Sequence, residues 1–166
     1  MSLTMIVEIP RGSRNKYEMD HETGEIFLDR MLFTATRYPA DYGFIPNTFA
    51  EDGDPLDVLV LVGEPTFPGC RVRVRPIGIF LMEDQGAPDH KVISVPDGDP
   101  RWSDTVDVDD LPDHLRSELE HFFAVYKDLE KKKTAIIGWR DKAEALRVVE
   151  AALAAYSEMH EAPAGK

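Results

Sequence analysis

The most constraining feature of the sequence is an acidic turn that runs directly into an apolar segment. Residues 51–57 read Glu-Asp-Gly-Asp-Pro-Leu-Asp, and residues 58–62 read Val-Leu-Val-Leu-Val. The glycine and proline of the first segment favour a turn, whereas the apolar run predicts a buried strand. Three carboxylates are therefore expected where loop meets strand, those of Asp52, Asp54 and Asp57.

Like charges on one turn repel one another unless a cation or bound protons neutralise them. Because oxygen atoms are the ligands of Mg²⁺ and Ca²⁺, the acidic turn is predicted to bind a metal ion. An EF-hand loop starting at Asp52 is excluded, since Leu56, Asp57 and Gly63 would occupy positions that need a polar residue, glycine and glutamate. An ordinary surface turn is the alternative interpretation.

The composition limits the classes of function. A length of 166 residues fits one domain, residues 1–166, with a tail expected to fray from about residue 160. The formal charge of −12 opposes sequence-independent binding to nucleic acid, which depends on neutralising phosphates. One cysteine, no signal-peptide pattern and no apolar segment of about 20 residues predict a soluble cytoplasmic protein without a membrane partner.

Hydrophobic periodicity predicts seven or so short strands followed by two helices, with a further strand between the helices. The first strands are expected at residues 6–10, 16–20, 25–30, 58–62, 71–75, 77–82 and 92–96, the further strand at 134–139, and the helices at about 111–131 and from about 141. The second and third strands form a hairpin with His21 in its turn. This order of elements predicts a β-barrel with two helices packed outside it.

Other charged groups lie at the ends of predicted strands. Residues 83–91 form a second acidic loop with Asp84 and Asp89, so two neighbouring acidic loops are expected to share a cluster of cations. The hairpin places Lys16 and Glu18 on one side, where a solvent-exposed ion pair is the alternative interpretation. The segment 37–47 is a packed loop whose tyrosines are candidates for ligand contacts or for core packing.

The pattern of charged residues suits metal-assisted attack of water on a phosphoryl group. The sequence lacks a P-loop, a His-x-x-x-His zinc motif and a Gly-x-Ser-x-Gly nucleophile elbow. It has carboxylates at strand ends, interleaved with Lys16, Arg30, Lys91 and Lys127. An acidic pocket repels polyphosphate when bare but attracts it when loaded with Mg²⁺, and the metal lowers the pKa of bound water.

Two interpretations from other functional classes remain open at this point. A barrel could bind nucleic acid or oligosaccharide without catalysis, using the alternating Arg71, Arg73 and Arg75. A calcium-buffering module would bind Ca²⁺ tightly without turnover. In an Mg²⁺ enzyme, by contrast, Ca²⁺ should inhibit because its looser coordination shell fits octahedral geometry poorly.

Six segments along nearly the whole chain form a recognisable pattern. The hexapeptide 52–57 has the form Asp-x-Asp-x-x-Asp, and the other segments lie at residues 7–10, 15–18, 28–30, 38–43 and 121–130. Together they resemble the signature and flanking motifs of the soluble family I inorganic pyrophosphatases of the bacterial type. The resemblance implies a mainly β (α+β) fold, namely a five-stranded OB-like barrel with flanking hairpin strands and two outer helices.

The resemblance also implies an activity and its cofactors. The expected reaction is hydrolysis of pyrophosphate to two orthophosphates, by direct in-line attack of an activated water without a covalent intermediate. Three or four Mg²⁺ ions are expected in each active site, with Mn²⁺ or Zn²⁺ substituting and Ca²⁺ inhibiting. The expected assembly is a homohexamer.

Residue roles follow from the matched positions. Asp52, Asp57 and Asp89 would hold a first metal, Asp57 would bridge to a second, Asp84 and Asp89 would hold a third, and Glu8 and Glu18 would serve an outer one. Asp54 would accept the proton of the attacking water, with Asp89 as the other candidate. Lys16, Arg30, Tyr42, Tyr126 and Lys127 would bind the phosphates, supported by Tyr38 and Lys91. Gln85 stands where many relatives have an acid.

Overall fold

The computed structural model describes residues 1–161, so the tail predicted to fray, 162–166, lies outside the described residues. The strands are β1 (Leu3–Ile9), β2 (Asn15–Met19), β3 (Ile26–Met31), β4 (Asp41–Ile45), β5 (Leu56–Val60), β6 (Arg71–Asp84), β7 (Ala87–Pro88), β8 (Lys91–Pro96) and β9 (Thr134–Arg140). The α-helices are α1 (Asp113–Val125) and α2 (Lys142–Glu161), and 3₁₀ helices occur at Pro100–Trp102, Val108–Asp110 and Asp128–Glu130.

Five strands pair into a closed ring in the order β1, β4, β5, β8 and β6, and β6 pairs again with β1. The β5–β8 pair is parallel, and the other pairs of the ring are antiparallel. Strands β7 and β9 extend the sheet from β6. The predicted five-stranded barrel with two helices is confirmed, and closure removes the free edges that an open sheet would present.

Strands β2 and β3 form a separate two-stranded sheet outside the ring, which confirms the predicted hairpin. Its turn includes Gly24, whose φ of +75° favours glycine. We call residues 15–31 the hairpin.

Two hydrophobic clusters lie on opposite faces of the ring strands, one packed against α1 and the other against α2. Alternate residues of β5 point to different clusters: Leu59 contacts the α1 side, whereas Val58 and Val60 contact the α2 side. The apolar run reads as continuous rather than alternating because both faces of the strand are buried. Within residues 1–161, none of the helices combines the length and the apolar character needed to cross a membrane.

One predicted loop and three predicted boundaries were wrong. The segment 37–47 contains strand β4, which pairs with β1 and β5, rather than being a loop throughout. Strand β5 begins at Leu56 rather than at residue 58, so Asp57 lies within the strand instead of before it. The segments 71–75 and 77–82 are parts of one 14-residue strand, β6, with an irregularity between Pro76 and Gly78. Helix α1 is shorter than the predicted 111–131 because the chain turns into a 3₁₀ helix after Val125.

Candidate active site

A cavity of about 510 Å³ lies between the ring and the hairpin and collects most of the predicted site residues. Its carboxylates are Glu8, Glu18, Asp52, Asp54, Asp57, Asp84 and Asp89, and its other predicted residues are Lys16, Tyr38, Tyr42, Lys91, Tyr126 and Lys127. Arg30 is the one predicted site residue that does not line this cavity.

A buried lysine holds two carboxylates of the cavity together. The parallel pairing of β5 with β8 aligns Asp57 with Lys91. The Lys91 ammonium, 2% exposed, donates to Asp57 Oδ2 (2.8 Å), Asp89 Oδ1 (2.7 Å) and the Tyr42 hydroxyl (2.8 Å). Burial opposes its charge, but the two carboxylates outweigh burial and raise the pKa of Lys91 above its usual range. The site therefore contains a permanent internal cation.

The acidic turn presents two carboxylates that differ in burial and in hydrogen bonding. Asp52 accepts a hydrogen bond from the backbone N–H of Asp54 (3.0 Å), and burial raises the pKa of Asp52. The Asp54 side chain is exposed and accepts no hydrogen bond from any residue between 1 and 161. A carboxylate in that state is available to take a proton from a bound molecule.

Glu8 connects the ring to the hairpin. A β-bulge between Val7 and Ile9 in the pairing of β1 with β4 sets Glu8 apart from the regular ladder. Its Oε2 accepts a hydrogen bond from the backbone N–H of Met19 on β2 (2.9 Å). Burial is the main cause that raises the pKa of Glu8 to about 7, and the Met19 hydrogen bond partly opposes it.

Three tyrosines form the inner wall of the cavity. Tyr38 and Tyr126 are 3% and 5% exposed, and both pack on Phe122. Burial raises the pKa of Tyr38, Tyr42 and Tyr126 above the usual value. Their hydroxyls therefore stay protonated; that of Tyr42 donates to Asp57 Oδ2 (2.7 Å), whereas those of Tyr38 and Tyr126 can donate to an anion. Core packing, one of the two roles considered for Tyr38 and Tyr42, is therefore confirmed, and contact of these tyrosines with a ligand stays a prediction.

The remaining cations approach the cavity from opposite sides. Lys127, which follows Tyr126 after α1, forms an ion pair with Asp84 at the end of β6. Lys16 on the hairpin forms ion pairs with Glu18 and, at 3.3 Å, with Asp29. The ion pair considered as an alternative for Lys16 and Glu18 therefore exists, but it lies at the cavity rather than on an unrelated surface.

Two carboxylates beside the cavity, which pair with predicted site residues, were not predicted from the sequence. Asp29 pairs with both Lys16 and Arg30, and Glu130 lies 2.9 Å from Arg30 Nε through Oε1. Both belong to segments that match the family pattern, but nothing in the order of residues indicates a contact between positions 100 apart. The one signal in the sequence is that Asp29 is adjacent to Arg30 and that Glu130 follows Lys127 by a few residues.

The structure also shows the surroundings of His21, Gln85 and the arginines of β6. His21 lies in the hairpin turn, as predicted, lines the cavity and packs edge-on against Phe44. Gln85 lines the cavity and donates to Asp84 Oδ1 (3.4 Å). Of the arginine stripe, Arg75 is partly buried, with its guanidinium donating to the carbonyls of Trp102 and Thr105. Arg75 is therefore a structural residue, whereas Arg71 and Arg73 are exposed.

The donor set fits a hard divalent cation by its chemistry. The seven carboxylates around one cavity are the kind of oxygen ligand that such ions prefer. In the described part of the chain, however, no three His, Cys, Asp or Glu side chains converge closely enough to enclose an ion. Lys91 and Lys127 stand among the carboxylates instead, so cations would bind through adjusted side chains or intervening water.

Comparisons with known proteins agree on one family. The model of the family described as "Inorganic pyrophosphatase" matches residues 5–157. The inorganic pyrophosphatase of Leifsonia xyli is 57% identical over 151 residues, which cover 90% of this chain and 93% of the relative. That of Corynebacterium glutamicum is 54% identical over 149 residues, or 89% and 94% of the two chains.

Solved structures give the same answer at the level of the fold. The crystal structure of inorganic pyrophosphatase from Thermus thermophilus superposes with a TM-score of 0.91 at 48% identity, covering 94% of this chain and 91% of that one. A match of this kind along nearly the whole chain includes the acidic turn, the hairpin and the segment after α1. The chain therefore belongs to the inorganic pyrophosphatase family.

Proposed function

We propose that this protein hydrolyses inorganic pyrophosphate to two orthophosphates. The observation that carries the proposal is the single cavity in which seven carboxylates meet Lys16, Lys91 and Lys127, in a chain of this family. Carboxylates alone would repel pyrophosphate, and lysines alone would bind it without activating water. Their combination is what a metal-dependent phosphoryl hydrolase requires.

Inorganic pyrophosphatases as a family are metal-dependent. Here the metal ligands are proposed to be Glu8, Glu18, Asp52, Asp57, Asp84 and Asp89. Bound divalent cations supply charge for the phosphates and lower the pKa of water. We propose three or four Mg²⁺ ions in each site, replaceable by Mn²⁺ or Zn²⁺ and inhibited by Ca²⁺.

The chain's own residues move the proton and hold the phosphates. Asp54 accepts the proton of the attacking water, because its carboxylate is exposed to the cavity and is not occupied by a hydrogen bond from the chain. Asp89 is the less suited alternative, since Lys91 already occupies its Oδ1. Lys16, Lys127 and the protonated tyrosine hydroxyls of the inner wall bind phosphate oxygens and neutralise the charge on the leaving phosphate.

Arg30 reaches the phosphates from the edge of the cavity in this proposal. It is paired with Lys16 across the hairpin, so the two cations lie on neighbouring strands. Its charge also acts on Tyr38 and Tyr126, two residues of the inner wall.

We propose further that the chain is one domain and assembles as a cytoplasmic homohexamer. Exposed apolar side chains support self-association: Phe27, Leu28, Met31 and Phe33 on and beside β3 are each more than half exposed. Light scattering tests the assembly, and a monomer at micromolar concentration would contradict it.

The function is tested by phosphate release from pyrophosphate as a function of Mg²⁺ concentration. The native protein should turn over only with metal. Asp54→Asn should lose at least about 100-fold in kcat, the usual contribution of a general base, while Mg²⁺ binding measured by calorimetry persists. Asp104→Asn, an exposed carboxylate remote from the cavity, is the matched control and should retain full activity.

The outcomes separate the parts of the proposal. No phosphate release by the native protein at any Mg²⁺ or Mn²⁺ concentration would reject the hydrolase function. Full activity of Asp54→Asn would move the proton acceptor to Asp89 and leave the function standing.

A further inference from the structure

Glu130 is a buried carboxylate outside the cavity that has no role in the reaction described so far. It ends the 3₁₀ helix Asp128–Glu130, which directly follows Tyr126 and Lys127. Its side chain is only 4% exposed. A carboxylate buried to this degree requires a cationic partner, because burial without one costs several kcal/mol.

That partner is Arg30, which lies 100 residues earlier in the chain. Arg30 Nε lies 2.9 Å from Glu130 Oε1, and Nη2 donates to Oε2 at 3.2 Å. The third nitrogen, Nη1, pairs with Asp29 on the hairpin itself. Lys132 Nζ, the other cation near Glu130, is 4.0 Å away and its side chain is 45% exposed. The main contact of Glu130 is therefore with the guanidinium of Arg30.

This contact adds an ion pair between two parts of the site that also meet where Tyr17 of the hairpin packs against the α1-side cluster. Arg30 belongs to the hairpin, whose strands have no buried residue and form a sheet of their own. Glu130 belongs to the segment that carries Tyr126 and Lys127 into the cavity. Glu8 ties the hairpin to the ring at Met19, near the turn of the hairpin, whereas Glu130 ties it near the end of β3.

We propose that Glu130 is a positioning residue that holds the Arg30 guanidinium, and with it the hairpin, next to the Tyr126–Lys127 segment for binding of a phosphate group. The inference rests on the proposed function, in which Arg30 binds a phosphate of the substrate. Glu130 itself does not touch the substrate. Without it, Arg30 would keep only its contact with Asp29, and ordering the freed part of its guanidinium would cost conformational entropy on each binding event.

The test is a double-mutant cycle of Glu130→Gln and Arg30→Gln, measured as KM and kcat for Mg²⁺-pyrophosphate. Glu130→Gln should raise KM by about 10-fold and change kcat less, the loss expected for a charge-assisted contact that organises binding. Because Glu130 acts through Arg30, adding Glu130→Gln to Arg30→Gln should cause little further change. If Glu130 had a purely structural role, Glu130→Gln would lower stability, and its effect on KM would not depend on whether Arg30 is present.

Matched variants control for folding. Glu120→Gln removes another partly buried carboxylate, one that binds the Trp139 indole N–H and faces away from the cavity, and should leave KM unchanged. Glu130→Asp keeps the charge but shortens the side chain, so an intermediate KM is expected. It replaces Glu130→Gln in the cycle if the glutamine variant does not fold.

The binding of inorganic phosphate, measured by calorimetry in the same variants, provides a readout that does not need turnover. A weaker phosphate affinity in Glu130→Gln than in Glu120→Gln supports the inference even if the native protein releases no phosphate from pyrophosphate. Unchanged KM and phosphate affinity in a folded Glu130 variant, or additive effects in the cycle, would overturn it. If the native protein released no phosphate from pyrophosphate but the phosphate affinities differed as expected, only the proposed function would be rejected.

Discussion

The ring and the hairpin contribute to the same cavity from very different surroundings. In the ring, every residue of β5 except Asp57 is buried. In the hairpin, no residue of β2 or β3 is buried, and Phe27 and Leu28 are 54% and 57% exposed. Yet Asp57 and Lys16 line the same cavity.

The difference lies in what holds each group in place. The ring fixes Asp57 and Lys91 through backbone pairing, closure and burial, which resist displacement. The hairpin is held to the rest of the molecule by polar contacts, among them those of Glu8 and Glu130, and by Tyr17, which packs against the α1-side cluster. We infer that the carboxylates on the ring form the rigid part of the site, and that the hairpin cations depend on the contacts of Glu8 and Glu130 for their positions.

Gly43→Ala should have the largest effect on stability and tests the rigidity of the ring. A Cβ at Gly43 would lie 1.9 Å from the Ile6 carbonyl oxygen on the neighbouring strand, so β1 and β4 would have to separate. We expect a loss of about 4 kcal/mol or more in the free energy of unfolding, measured in urea. A loss below about 1 kcal/mol would show that β1 and β4 can separate at little cost, which would contradict the rigidity inferred for the ring.

Lys91→Met should cost about 3 kcal/mol in the absence of metal, since Asp57 and Asp89 would then face each other without a cation. Added Mg²⁺ should raise the melting temperature of this variant more than that of the native protein, because the ion can replace the missing charge. Lys133→Met, at an exposed position, is the control. Equal stability of Lys91→Met and native protein without metal would contradict the role of Lys91 as an internal cation.

Glu8→Gln tests the contact between ring and hairpin by its effect on the pH dependence of stability. The pKa of Glu8 is raised to about 7 in the folded protein from 4.5, so folding favours the protonated form. The contribution of Glu8 to the free energy of unfolding therefore falls as pH rises from about 4.5 to about 7, and then levels off.

Glutamine cannot ionise, so Glu8→Gln should match the native protein at pH 4 and exceed it at pH 8 by on the order of 2 kcal/mol without metal. Urea unfolding at the two pH values measures the difference. A constant difference at both would mean that burial does not affect Glu8 as described.

Gly24→Ala should have the smallest effect and is the counterpart of Gly43→Ala in the hairpin. No atom lies within 4 Å of the position that its Cβ would take, so the cost comes only from the positive φ. About 1 kcal/mol is expected, together with nearly unchanged Mg²⁺ binding. A loss as large as that of Gly43→Ala would remove the distinction between the two regions.

Much of the site was predictable because its residues lie in short segments with a clear pattern. The acidic turn, the second acidic loop and the hairpin each place charged groups within a few residues of a strand end, and all three reach the cavity. Arg30 was predicted as a site residue, but its side chain pairs with Glu130 rather than lining the cavity. Pairing across 100 residues depends on the folded chain and leaves no local pattern.

The sequence by itself determined the kinds of element, the groups of like charge and the family, because periodicity and motifs are local properties of the chain. Tertiary structure decided which charges meet. The parallel register of β5 and β8 brings Lys91 between Asp57 and Asp89, and closure of the ring decides that this lysine is buried there. Electrostatic energies depend on distance and burial, and both are set by long-range packing.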